Sequence, residues 1–399
     1  MRLPSPALAA VALGLLAAGC AGPPARTAHR GPLIVVSAPL SAQPWVGRSV
    51  ERGAELAVAQ AGSGPAPTLE VLDNAGSPAR ALANARRAVD EGAAALVTDG
   101  TGALAVAGVS DAASLPVFVV YDGGASFIDP AAHPTMFRLA PANRPMSTRL
   151  VDYLSARAHR VALLSDDSGY GSDGAATVRK ALAHNGIPLA SDQVLPAGGG
   201  DPSPQLLRAR GSGADTVVVW AKARTVGAVI RAARAGGWQV PFFTGPTGED
   251  PEVRQQLADH PQWLDGTTFV SFRITSETGP APFAAFRAAF EKRFGAEQVG
   301  VSADGSPVVQ PPDWASFPYD AVRLVLAALA KDGGATGRPL LAALEQTVVA
   351  GANGDERGYG PGDREGVSQS DMYFGRFHHL RFAPVRDDLL STNLPTVPQ

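Results

Sequence analysis

From Leu33 onward the chain repeats one pattern: a short unbroken apolar run, a turn, then apolar residues at helical spacing. Leu33-Ile34-Val35-Val36 opens it, a β-branched run suited to a strand buried on both faces. After a turn through Pro39, Pro44 and Gly47, Val50, Ala54, Leu56, Ala57 and Val58 recur as one face of a helix. Arg48, Glu51, Arg52 and Glu55 supply its wet face. The next units read alike: strand Thr68–Leu72, helix Pro78–Glu91 stopped by Gly92, strand Ala94–Val97, helix Ala103–Ala113, strand Pro116–Val120. Such alternation predicts an α/β fold with a parallel sheet flanked by helices, and ligands bound in loops at the strand carboxyl ends.

Around Met136–Pro141 the pattern restarts. It predicts helix Met146–Ala158, strand Val161–Leu164, helix Gly174–Asn185, strands Leu189–Leu195 and Thr216–Trp220, helix Val226–Ala235 and strand Val240–Phe243. No unit repeats at a fixed short period, so a solenoid is excluded. With 399 residues, two α/β domains of similar grammar are expected. Gly295–Trp314 and Val349–Ser370, rich in Pro or Gly, read as surface excursions, and Met372-Tyr373-Phe374 as a strand.

The 45% apolar content suffices for real cores, and a net charge of −3 argues against a nucleic-acid surface. The only cysteine, Cys20, follows Leu16-Ala17-Ala18-Gly19, after an apolar stretch (Ala7–Leu16) too short to span a bilayer. This resembles a bacterial lipobox, which is cleaved before a cysteine that then carries lipid. Residues 1–19 are expected to be a signal peptide, and residues 20–31 a lipid-anchored tether outside the cytoplasm. A single cysteine rules out an intramolecular disulfide.

Gly100-Thr101-Gly102-Ala103-Leu104-Ala105 imitates a dinucleotide fingerprint, with Asp122 about 20 residues on. Yet two strand–helix units precede it, whereas the fingerprint belongs to the first strand of its unit. The better reading is a helix start offering backbone N–H groups and the Thr101 hydroxyl to an anion or carboxylate. The seven histidines are scattered, and His378-His379 on a strand would face opposite sides. Zinc-ligand spacing and a Gly-x-Ser-x-Gly elbow are both absent. Asp166-Asp167 suits a cap and a cleft hydrogen bond better than paired acid–base work. No cofactor, metal or catalysis is expected.

Several stretches carry a family resemblance. Pro39-Leu40-Ser41 followed by Arg52-Gly53-Ala54-Glu55-Leu56-Ala57-Val58, Arg138-Leu139-Ala140-Pro141, Leu164–Gly171, Ile230–Gly236, Phe283–Phe294 and Tyr319-Asp320-Ala321-Val322 stand in order along the chain. Together they resemble the type I periplasmic binding proteins of the branched-chain amino-acid class, the solute-binding components of ABC importers. The resemblance implies two Rossmann-like lobes with parallel-rich sheets joined by three crossovers, residues 32–142 with 276–355 and residues 143–275 with 356–399. It also implies a cleft that closes on a small-molecule ligand, and a membrane permease as partner. By the same resemblance Trp45, Thr101, Gly102, Tyr121, Gly123 and Ser126 contact ligand from the first lobe, and Tyr170, Lys222 and Thr247 from the second. Three positions depart from the family: Gly123 stands near a usual threonine, with Ser126 a substitute, Lys222 where tyrosine is common, and Thr247 where a glutamate holds the ligand ammonium. These departures favour a ligand with a carboxylate or other polar acceptor. The same cleft would also serve a sensing receptor uncoupled from transport, and an α/β enzyme is the remaining alternative.

Overall fold

The computed structural model describes residues 31–62, 65–272, 281–302, 304–367 and 372–385. The expected signal peptide, Cys20 and nearly all of the tether lie outside the described residues. Strands β1 (Leu33–Ala38), β2 (Thr68–Asp73), β3 (Ala95–Thr98), β4 (Val117–Val119) and β5 (Met136–Arg138) form one sheet. Its order is β2-β1-β3-β4-β5, parallel throughout. Strands β6 (Val161–Asp166), β7 (Leu189–Leu195), β8 (Thr216–Trp220), β9 (Phe242–Thr244) and β10 (Thr268–Phe272) repeat that order as β7-β6-β8-β9-β10, again parallel. Hairpins β11 (Glu297–Val301) with β12 (Pro307–Gln310), and β13 (Val348–Ala350) with β14 (Glu356–Gly358), lie outside both sheets. Strands β15 (Met372–His378) and β16 (Arg381–Pro384) extend the second sheet beyond β10, each antiparallel to its neighbour.

The inner strands of each sheet are buried on both faces, which is why they read as largely apolar runs. Ile34 and Val36 pack with the helices Pro44–Ala59 and Ser316–Lys331; Leu33 and Val35 pack on the opposite face with Ala81, Ala85 and Val106. The second lobe divides likewise, with Leu164, Val217 and Val219 on one face and Leu163, Val218 and Trp220 on the other. The helices Pro44–Ala59 and Ser316–Lys331 touch so closely at Gly53 that a Cβ there would lie 2.2 Å from the Ala315 carbonyl oxygen.

The first crossing leads from β5 into the helix Asn143–Leu154, whose Met146 and Leu150 pack in the second lobe. The chain returns with the helix Ala281–Phe294, which packs against Leu56 of the first lobe. The two proline- and glycine-rich stretches are not simple surface excursions. Between Gly295 and Trp314 the β11–β12 hairpin sends Val299 and Val308 into the second lobe's core, although the helices before and after it belong to the first. Residues 356–367, expected with the second lobe, stay with the first. Tyr359 and Val367 sit in its core, and the buried Arg138 forms an ion pair with Glu365. Val367 is thus still part of the first lobe, and Met372 packs in the second. Among the described residues no helix is long and apolar enough to cross a membrane.

Candidate ligand-binding site

The carboxyl ends of the two parallel sheets face each other across a cavity of about 640 Å³. In a sheet of this order, loops leaving adjacent strands at the point of reversal diverge and leave a crevice. Here two crevices are apposed. The first lobe contributes the loop after β3 (Asp99 to Ala105) and, after β4, Tyr121, Asp122, Gly124, Ser126 and Phe127. The second contributes Ser168, Gly169 and Tyr170 after β6, Lys222 after β8, and Thr247 and Asp250 after β9.

The loop after β3 is held tightly. Asp99, only 7% exposed, accepts hydrogen bonds from Asn74 Nδ2 at 2.7 Å and Thr101 Oγ1 at 2.6 Å. The Thr101 hydroxyl proton is thus directed to Asp99, and lone pairs of its oxygen are what it can offer a ligand. Gly100 has φ +110, and a Cβ there would stand 2.3 Å from the Asp122 Cβ, so only glycine fits between the two loops. Gly102 starts the helix Ala103–Ala113 in left-handed conformation, with no side chain capping it. That helix start meets the cavity with the positive end of its dipole.

Asp166 organises the opposite wall. One carboxylate oxygen accepts from Ser168, the other from the Lys222 backbone N–H at 2.7 Å. Asp167 turns away to the Ala197 backbone, so the two neighbouring acids act as loop anchors. Lys222 begins the helix Ala223–Ala235 and is half-buried; among the described residues its ammonium has no ion-pair partner. Among the described residues the buried Tyr170 hydroxyl, beside Trp220, finds no hydrogen-bond partner. Thr247 directs its hydroxyl to the Ala221 carbonyl at 2.6 Å.

Seven of the nine expected contact residues line the cavity: Thr101, Gly102, Tyr121, Ser126, Tyr170, Lys222 and Thr247. Two do not. Trp45 lies behind Tyr121, edge-on with ring centroids 6.4 Å apart, and faces a separate shallow depression beside Arg48 and Arg52. Gly123 faces the first crossing, where a Cβ would stand 2.6 Å from both Asn143 Oδ1 and the Pro141 oxygen. Four carboxylates outside the nine expected contacts also stand in the lining: Asp99, Asp122, Asp173 and Asp250. Each stands in or beside a strand-end loop, the one signal that could have found them.

Burial pushes the Asp122 carboxyl up to about 6 and that of Asp250 up to about 7. Burial also raises the Asp99 carboxyl, against the pull of Thr101, Asn74 and the Lys222 charge. Asp250 meets the Tyr121 hydroxyl across the cleft at 3.5 Å. Asp173 accepts a hydrogen bond from Asn143 Nδ2 at 2.8 Å, next to the first crossing. Behind the cavity the lobes share a buried polar cluster. Glu249 accepts hydrogen bonds from Ser271 and, at 2.6 Å, from Trp314 Nε1, an indole seated in the first lobe's core. Arg254 is bonded to Gln310, which itself donates to Asp313 at 3.3 Å. Burial drives Glu249 well above its ordinary value, Asp313 up to about 6 and Arg254 down to about 10.

Solved structures share this architecture. A type 1 periplasmic binding protein from Bordetella pertussis superposes with TM-score 0.79 at 18% identity, over 89% of this chain and all of that one. The branched-chain amino acid transporter substrate-binding protein LivJ of Streptococcus pneumoniae, in complex with isoleucine, gives TM-score 0.74 at 20% identity over 88% and 97%. An ABC-transporter solute-binding protein of Rhodopseudomonas palustris, in complex with 3,4-dihydroxybenzoic acid, gives 0.71 at 20% over 87% and 93%. No curated protein matches the sequence. The family model described as periplasmic binding protein covers residues 33–378. Two lobes of matching strand order, a cavity between their carboxyl ends and that match together place the chain in the periplasmic binding protein family, in its type I fold.

Proposed function

We propose that this protein is the extracytoplasmic solute-binding component of an ABC importer, holding a small polar ligand between its lobes and presenting the closed form to a permease. The observation that carries this reading is the unpaired Lys222 ammonium facing the uncapped helix start at Gly102 across a cavity of about 640 Å³. Both elements favour negative charge, so the ligand brings a carboxylate or comparable acceptor to that end. The isoleucine and dihydroxybenzoate of the two relatives are both carboxylates. Asp250, which meets Tyr121 across the cleft, suits an ammonium or amide donor, which makes an amino acid or an amide the first candidate. Ligand contacts on both lobes stabilise the closed state over the open one, and closure excludes water from the buried charges. Cys20 carries the lipid that keeps the protein at the membrane, with residues up to 31 as the tether.

Native mass spectrometry of gently purified protein is expected to show a co-purified small molecule. A thermal-shift panel of amino acids, amides and benzoates should contain at least one that raises the melting point, since a ligand bound only to the native state stabilises it. Failure of every member, with no mass adduct, would sink the assignment.

A further inference from the structure

We infer a transition-metal site at the far end of the second lobe, formed by Asp265, His378 and His379. One ligand-capable atom from each of the three residues lies within 4.8 Å of the others. His379 Nδ1 stands 3.3 Å and His378 Nδ1 3.8 Å from the same carboxylate oxygen, Asp265 Oδ1. Donors held tetrahedrally at 2.0–2.2 Å from zinc are about 3.4 Å apart, so a small inward adjustment brings all three onto one ion. Two imidazoles and one carboxylate, with further positions left to water, form a donor set suited to zinc, nickel or copper rather than calcium or magnesium.

A regular strand would point consecutive side chains to opposite faces. The chain departs from that rule because His379 leaves β15 in left-handed conformation, φ +54, at the turn into β16. The turn swings its ring beside that of His378, with centroids 4.7 Å apart. The Asp265 carboxylate fixes the arrangement by accepting the His379 backbone N–H. Ladder bonds from Gly266 N to the Phe377 oxygen and from Phe377 N to the Thr267 oxygen tie the two segments together. The donors thus sit on an anchored frame, where less ordering is needed on binding.

A second observation points the same way. His379 Nδ1 is shielded from solvent and, among the described residues, has no hydrogen-bond partner, although it stands 3.3 Å from the carboxylate. Such an atom is costly to leave unmatched, and a metal ion would match it. His378 is 75% exposed at the side chain, which leaves an ion an open approach. Asp265 precedes β10, and His378 ends the antiparallel β15. The site therefore lies at the amino ends of the parallel strands, opposite the ligand cavity, and is independent of the ligand.

The test is zinc titration by calorimetry on the full chain without an affinity tag, together with melting curves. One equivalent of Zn²⁺ should bind and raise the melting point. His378→Ala is expected to weaken binding about tenfold or more, and the pair His378→Ala with His379→Asn to abolish it. Asparagine is used at 379 because it tolerates left-handed backbone. Asp265→Asn should also weaken zinc binding, but it loosens the turn, so the histidine variants decide. Zinc uptake that is unchanged in the doubly substituted protein, or a wild type that takes up none of zinc, nickel and copper, would overturn the site. Nickel or copper binding in place of zinc, lost in the same variants, upholds it and names the metal.

Discussion

The loops that follow the third strand of each lobe occupy equivalent places in the two sheets and meet the same cavity, yet they do opposite things. After β3 the chain reads Asp-Gly-Thr-Gly, and its one carboxylate is turned inward onto Asn74 and Thr101. What it shows a ligand is backbone and a helix start. After β8 the chain reads Ala-Lys-Ala, its backbone is fastened to Asp166, and what it shows is a free ammonium. Equal topology therefore fixes where a contact is made, and side-chain size at the turn decides whether backbone or charge makes it. Glycine permits the close approach to Asp122 that brings the backbone forward, whereas lysine reaches past a backbone that is held back.

Breaking the backbone side of this pair should have the largest effect. Gly100→Val forces a branched residue into φ +110 with its Cβ 2.3 Å from that of Asp122. Left-handed strain and overpacking together predict a loss of about 3 kcal/mol or more in stability, with ligand binding abolished. A variant melting with the wild type would show that the two loops do not need that contact.

Lys222→Ala breaks the other side with a different signature. Folding stability should stay within about 0.5 kcal/mol, because the fixed part of the loop is its backbone. Ligand affinity should fall about tenfold to a hundredfold, the value of a hydrogen bond to a charged group. Calorimetry with the ligand identified by mass spectrometry measures it, and an unchanged affinity would remove Lys222 from the site.

The smallest effect sharpens the comparison through pH. Asp122 and Asp250 titrate near 6 and 7 in the fold, against about 4 in an unfolded chain. The native state then holds more protons than the unfolded state over that interval, so ligand-free stability falls as pH rises from about 4 to 7. Asp250→Asn keeps a good cap for the Glu252 N–H and removes one of these carboxyls. Its melting point should exceed that of the wild type by about 2 °C or more at pH 8, with the gap closing near pH 4. A variant less stable than the wild type at pH 8 would contradict the buried-carboxyl account.

The fold was legible because its signal is periodic. Runs such as Leu33–Val36, Val161–Leu164 and Val217–Trp220 are apolar through every residue only if both sheet faces are covered. The β11–β12 hairpin was not, since its two inward residues, Val299 and Val308, are separated by glycine, serine and proline and pack on a lobe distant in sequence. The site divides the same way. That Thr101, Tyr170 and Lys222 follow strands can be read from order alone. That Thr101 turns to Asp99, that Trp45 stands behind Tyr121 and that Asp250 is buried depend on side-chain packing, which no spacing rule encodes. The His378-His379 reading failed on one dihedral angle: alternation holds only while the backbone stays extended.

Trp314 has a practical consequence. Its indole ring leans on Phe272, Phe317 and Tyr121 while its N–H reaches a carboxylate of the opposite half. Any swing of one half against the other must alter the polarity felt by that chromophore. The molecule thus carries its own optical gauge of opening and shutting, readable from intrinsic emission without an attached label.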